Sequence, residues 1–81
     1  MNNPNEMLHK CNYTKDREIF DKDYHFESYT RELKNYYRLF FDIKNKRLGF
    51  TSDGGKTFAS IDMDLLNAIY YKCKELKMME D

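Results

Sequence analysis

An alternation of side-chain character over residues 36–43, Tyr-Tyr-Arg-Leu-Phe-Phe-Asp-Ile, constrains the fold of this chain more than any other feature of its sequence. Successive residues of a β-strand point to opposite faces of the sheet, so residues two apart share a face. The odd-numbered positions are all apolar or aromatic, and they are Tyr37, Leu39, Phe41 and Ile43. The pattern predicts a strand whose odd-numbered side chains face a core and whose even-numbered side chains face away from it.

Two neighbouring segments also carry strand signals. Residues 24–33 combine aromatic with β-branched side chains, and we favour a strand here over the alternative, a helix across residues 26–37. On the other side of the alternating segment, Lys44-Asn45-Lys46 predicts a turn. A short third strand over residues 47–51 follows, with Leu48 and Phe50 facing inward.

The dipeptide Asp53-Gly54 predicts a hairpin. It favours a two-residue turn with positive φ, which glycine adopts without steric cost. A fourth strand is then predicted over residues 56–63. Gly55-Lys56-Thr57 imitates the end of a phosphate-binding loop, but the glycine that this motif requires five residues earlier is Phe50, and the loop does not open a helix. We therefore reject a nucleotide site.

From Asp64 the hydrophobic period changes from two residues to 3.6, which predicts a helix. Its apolar stripe comprises Leu66, Ile69, Tyr70, Cys73 and Leu76. A helix of this length cannot bury its stripe alone, so it should pack across the inward face of the sheet. The predicted class is α+β, with an antiparallel four-stranded β-meander followed by one C-terminal amphipathic α-helix packed on one sheet face. Residues 24–81 form this single domain, and residues 1–23 are expected to be an irregular or partly ordered leader.

Composition narrows the function classes. No apolar run approaches the ~20 residues of a membrane span, and the polar N-terminus does not resemble a signal peptide. We therefore expect a cytoplasmic protein, or a nuclear one in a eukaryote, that does not bind membranes. The cysteines and histidines lack the spacing of a zinc site, and no pairing of a nucleophile with a base predicts catalysis. We expect no enzyme activity, no cofactor and no metal.

The sheet face that points away from the predicted core, to which the even-numbered residues of the segment 36–43 belong, is the candidate site. Residues 24–58 carry seven basic against four acidic side chains, although the formal net charge of the whole chain is zero. Rings interleaved with cations suit single-stranded nucleic acid, because bases stack on the rings and phosphates meet the cations. We predict a single-stranded nucleic-acid-binding module with DNA or RNA as partner. The predicted contact residues are Tyr36, Arg38, Phe40, Arg47, Lys56 and Phe58.

The alternative is a small protein-interaction module, such as a phage- or mobile-element-encoded inhibitor that binds a host protein. It rests on the same face, since exposed aromatic residues also mark protein interfaces.

Residues 37–50 lead from an aromatic strand that ends in Asp42-Ile43-Lys44 through a basic, glycine-containing turn into a third strand. This segment resembles the purine-rich-element-binding (PUR) repeat, and residues 60–66 resemble the strand-to-helix junction of that repeat. The single-strand-binding transcriptional coactivators and the Whirly proteins have a related topology. The resemblance implies a β-β-β-β-α unit that binds single-stranded DNA or RNA and forms a homodimer through its helix. It also implies that the contacts are Arg38, Phe40, Arg47 and Phe58.

Overall fold

The computed structural model describes residues 3–32, 36–52 and 61–79, and for residues 32, 36 and 52 it describes the backbone alone. The described chain forms a short helix, four strands and a second helix. In chain order these are α1 (Pro4–Lys10), β1 (Thr14–Phe20), β2 (His25–Glu32), β3 (Tyr36–Asp42), β4 (Arg47–Ser52) and α2 (Met63–Glu75).

The four strands form one antiparallel sheet in the order β1-β2-β3-β4, in which each strand pairs with the next along the chain. The helix α2 follows the sheet and packs on it. The predicted class, an α+β fold with a four-stranded meander and a C-terminal helix, is therefore confirmed. The strands predicted over residues 24–33, 36–43 and 47–51 correspond to β2, β3 and β4.

The identity of the remaining strand differs from the prediction. It is β1, which lies within the segment expected to be an irregular leader. Six of the seven residues of β1 are exposed, so this edge strand has no apolar face and leaves no hydrophobic period in the sequence. The strand predicted over residues 56–63 lies mostly outside the described residues. At its described end Ile61 and Asp62 belong to no strand, and Met63 begins α2.

The helix α1 also corrects the expectation of a leader. The side chain of Asn3 accepts hydrogen bonds from the amides of Asn5 (3.0 Å) and Glu6 (3.3 Å), and Pro4 occupies the first helical position. Both features are typical of a helix N-terminus. Leu8 is fully buried in the core. Residues 4–20 are thus part of the domain.

The core lies between one face of the sheet and the two helices. The predicted inward set of β3 is confirmed, since Tyr37, Leu39 and Phe41 are buried and Ile43 is partly buried against them. Leu48 shares this side of the sheet but is largely exposed. The helices contribute Leu8, Leu65, Ala68, Ile69 and Cys73.

The buried stripe of α2 is rotated from the predicted one. Leu66 and Tyr70, expected in the core, are 47% and 41% exposed. Leu65 and Ala68 take their places, and Lys72 is buried as well. The prediction assumed that only apolar residues are buried. Lys72 is an exception because it is paired with an acid, Glu27. The Asp62 carboxylate caps the N-terminus of α2, because it accepts a hydrogen bond from the amide of Leu65 at 2.8 Å.

Candidate nucleic-acid interface

The sheet face opposite the helices, which we name the outward face, is the candidate site. Both helices pack on the other face, and no element of the described residues covers this one. Strand pairing assigns side chains to it, because residues opposite each other in neighbouring strands share a face. Its described side chains include Asp16, Arg17, Ile19, Phe26, Ser28, Thr30, Arg38, Phe40, Asp42, Arg47 and Thr51.

An aromatic pair lies at the centre of the outward face. The rings of Phe26 and Phe40 have centroids 4.6 Å apart and an interplanar angle of 34°. Both residues are partly exposed. Gly49 lies opposite Phe40 on β4, and a Cβ added there would lie 3.4 Å from the Phe40 Cβ. Because glycine has no side chain, this flank of the aromatic pair stays uncrowded.

Three of the six predicted contact residues lie on this face in the described part of the chain. Arg38 and Phe40 are two apart on β3, and Arg47 lies on β4 opposite Asp42. The backbone of Tyr36 belongs to β3, two residues before Arg38, so this residue occupies an outward position. Lys56 and Phe58 lie outside the described residues.

Sequence reasoning missed two residues of the outward face. Phe26 lies in a strand that the sequence predicts, but its contact with Phe40 depends on the register between β2 and β3. The available signal was the alternation within the predicted strand, which places Phe26 on the same face as Ser28. Arg17 lies on β1 opposite Ser28. It belongs to the segment that was expected to be an irregular leader, so no strand pattern indicated its place on this face.

A β-bulge brings an acid onto the outward face. The pairing of β1 with β2 shifts register between Lys15 and Arg17, which leaves Asp16 as the extra residue. The Asp16 carboxylate accepts a hydrogen bond from the Ser28 hydroxyl at 2.6 Å. Its other oxygen lies 3.3 Å from Nη2 of Arg38, in an ion pair.

A second acid of this face, Asp42, closes the turn between β3 and β4. Its carboxylate accepts hydrogen bonds from the backbone amide of Asn45 at 3.2 Å and from the Asn45 side chain at 3.0 Å. The side-chain and then the backbone hydrogen bond from Asn45, followed by the nearby charges of Arg47 and Lys44, lower the pKa of Asp42. Arg17, Arg38 and Arg47 face two aspartates, so the described side chains of the outward face have a net charge of about +1.

The opposite side of the sheet holds a buried polar cluster that the sequence did not predict. Glu27 on β2 and Lys72 on α2 are 6% and 2% exposed, and their charged atoms lie 3.3 Å apart. Glu27 also accepts a hydrogen bond from the Tyr29 hydroxyl at 2.7 Å. Lys72 donates to Asn5 of α1 and to Glu75, both at 2.8 Å. The cluster therefore joins β2, α1 and α2.

The pKa of Glu27 reflects a balance within this cluster. Burial favours its neutral form, but the Tyr29 hydroxyl and the ammonium groups of Lys72 and Lys15 outweigh burial and lower the pKa. Burial and the Glu27 carboxylate raise the pKa of Tyr29. Each charged group thus has hydrogen-bonding partners, as a buried ion pair requires.

The two thiols are not activated. Burial raises the pKa of Cys73, and burial together with the charges of Asp62 and Asp64 raises the pKa of Cys11. A reactive cysteine needs the opposite shift. Within residues 3–32, 36–52 and 61–79, no group of three or more His, Cys, Asp or Glu is arranged to hold a metal ion. In the same part of the chain, no helix has the length and apolar character that crossing a bilayer demands.

Comparisons with protein-family models, with curated proteins and with solved structures find no match for this chain.

Proposed function

We propose that this chain is a single-stranded nucleic-acid-binding module without catalytic activity, and that its outward face is the binding surface. The observation that carries the proposal is the partly exposed Phe26–Phe40 ring pair on the same face as Arg38 and Arg47. Bases stack on such rings with ~1–3 kcal/mol each. Arginine guanidinium groups bind phosphate oxygens in a geometry that lysine does not match. A partner of this kind, DNA or RNA, implies a cytoplasmic or nuclear location.

Phe40→Ala is expected to weaken binding of a labelled single-stranded oligonucleotide by about 5- to 150-fold, because it removes one stacking surface. Fluorescence anisotropy at low salt, with DNA and RNA of the same length, measures the change. Low salt is used because phosphate contacts of the kind proposed for Arg38 and Arg47 weaken as the salt concentration rises.

The matched control is Phe20→Ala. Phe20 is the most exposed phenylalanine of the described chain, and its ring contacts His25. Its neighbour Ile19 lies opposite Phe26 on the outward face, so Phe20 lies on the other side of the sheet. The control removes the same ring from a surface outside the proposed site and should leave binding unchanged. Equal losses in the two variants, or no binding by the wild-type protein at low salt, would contradict the proposal.

A second surface supports a homodimer. Met63, Leu66 and Tyr70 lie three and four residues apart on α2 and are all exposed, so they form an apolar stripe directed away from the core. Asp64 lies in the first turn of α2 and Lys74 in the last turn. Two copies packed antiparallel about a twofold axis bring the acidic end of each helix to the basic end of the other. We therefore propose a second copy of the chain as the occupant of this stripe.

Leu66→Glu is expected to convert the dimer to the 9.9 kDa monomer, because it places a charge at the centre of the stripe. Light scattering coupled to size-exclusion chromatography measures the mass. Leu48→Glu, the same change at an exposed leucine of β4, is the control and should remain dimeric.

The apolar stripe on α2 also favours the second candidate function, a protein-interaction module. A wild-type protein that is monomeric at every concentration would overturn the dimer. If a pull-down then recovers one stoichiometric partner that resists nuclease and is lost in Leu66→Glu, the stripe binds a different protein. The second function replaces the first if the oligonucleotide assay also shows no binding.

A further inference from the structure

The bulge in β1 gives Arg38 a partner that resembles a phosphate. The Asp16 carboxylate contacts the Arg38 guanidinium at 3.3 Å through one oxygen and accepts the Ser28 hydroxyl proton at 2.6 Å through the other. Carboxylate and phosphate oxygens are both anionic acceptors, and guanidinium binds the two groups with similar geometry. Asp16 therefore occupies the position beside Arg38 that a backbone phosphate would take.

The two partners of Asp16 differ in accessibility. Ser28 is 2% exposed, so its hydroxyl is beyond the reach of a ligand and serves to hold the carboxylate in place. The Arg38 side chain is 43% exposed, so a ligand phosphate can approach it from solvent. An exposed ion pair of this kind is weak and exchanges partners readily.

We infer that Asp16 is an internal competitor for phosphate, which a ligand must displace from Arg38 before it binds. This inference rests on the proposed function and deepens it, since it names the backbone phosphate as the group bound beside Arg38 and Asp16 as the residue that limits affinity. The bulge is the structural device that makes the competition possible, because it places one extra residue of the edge strand on the outward face.

Asp16→Asn tests the inference. Asparagine keeps the size of the side chain and an oxygen that accepts the Ser28 hydrogen bond, but it removes the negative charge. Affinity for a single-stranded oligonucleotide at low salt is expected to rise about three- to fivefold. The slope of log affinity against log salt is expected to steepen by about 0.7, the value for one more neutralised phosphate of a single strand. Adding Arg38→Ala to Asp16→Asn should abolish the gain.

Glu18→Gln is the matched control. It removes the same charge from the same strand, but Glu18 lies opposite Glu27 and pairs with Lys15 at 2.9 Å on the helix side of the sheet. The inference holds if Asp16→Asn binds more tightly than both the wild type and Glu18→Gln. It fails, with the proposed function intact, if the wild type binds and Asp16→Asn binds no more tightly than the wild type or no more tightly than Glu18→Gln. If neither the wild type nor Asp16→Asn binds, both fall. Thermal melting of each variant verifies that it is folded.

Discussion

Phe41→Ala is expected to lower the free energy of unfolding by about 3–5 kcal/mol, whereas Phe40→Ala, the same change one residue earlier, is expected to lower it by much less. Phe41 is fully buried and packs edge-to-face against Tyr29, with ring centroids 5.6 Å apart. Its removal leaves a cavity in a core that the short chain cannot refill. Phe40 is partly exposed on the outward face and loses mainly its contact with Phe26.

Urea unfolding followed by circular dichroism measures both variants, and the midpoint compares them when the slope is unchanged. The oligonucleotide assay should reverse their order, since Phe40→Ala weakens binding and the folded fraction of Phe41→Ala retains it. Equal destabilisation by the two changes would mean that the outward face is as buried as the core, and it would remove the basis of the proposed site.

This contrast is the part of the molecule that the sequence predicts best. The alternation along β3 is a local property, so it assigned Phe41 to the core and both Arg38 and Phe40 to the opposite face before any pairing was known. Strand β1 could not be found in this way. Its charged residues are held by pairing with β2 rather than by burial, and such a strand has no characteristic period.

The finer structure of the candidate site was beyond the sequence for a related reason. Asp16 and Arg38 are separated by 22 residues, and their contact depends on the registers of two strand pairs and on a bulge. Changing either register by one residue would move these side chains to opposite faces. No local pattern in the sequence specifies that register.

The buried ion pair shows the same dependence on tertiary structure. Lys72 lies in the last turn of α2, yet it is buried and contacts Glu27, which lies 45 residues earlier in the chain. A lysine in the core is tolerated only where its partners are already in place. The partners of Lys72 come from β2, α1 and α2, so no single segment of the sequence indicates that this lysine is buried.

Lys72→Met is expected to lower the free energy of unfolding by about 3–5 kcal/mol, a large share of the stability of so small a domain. Methionine fills much of the same volume, so the loss arises mainly from the Glu27 carboxylate, which stays buried beside the more distant ammonium of Lys15 at 3.7 Å. The change also removes the hydrogen bond to Asn5 that joins α2 to α1. Urea unfolding measures the loss, and Lys74→Met on the same helix should cost less than about 1 kcal/mol.

The double variant Lys72→Met with Glu27→Gln distinguishes an unpaired charge from lost packing. It should recover a substantial part of the stability, because the glutamine carries no charge to leave unpaired.

The pH dependence of stability gives an independent measure of the ion pair. The folded-state pKa of Glu27 is lowered, so its stabilising contribution is present above the ordinary value of ~4.3 and is lost as the pH falls through the folded value. The difference between wild type and Lys72→Met should therefore shrink in acid. A difference that stays constant to about pH 3 would assign the loss to packing and to the release of α1 rather than to the ion pair.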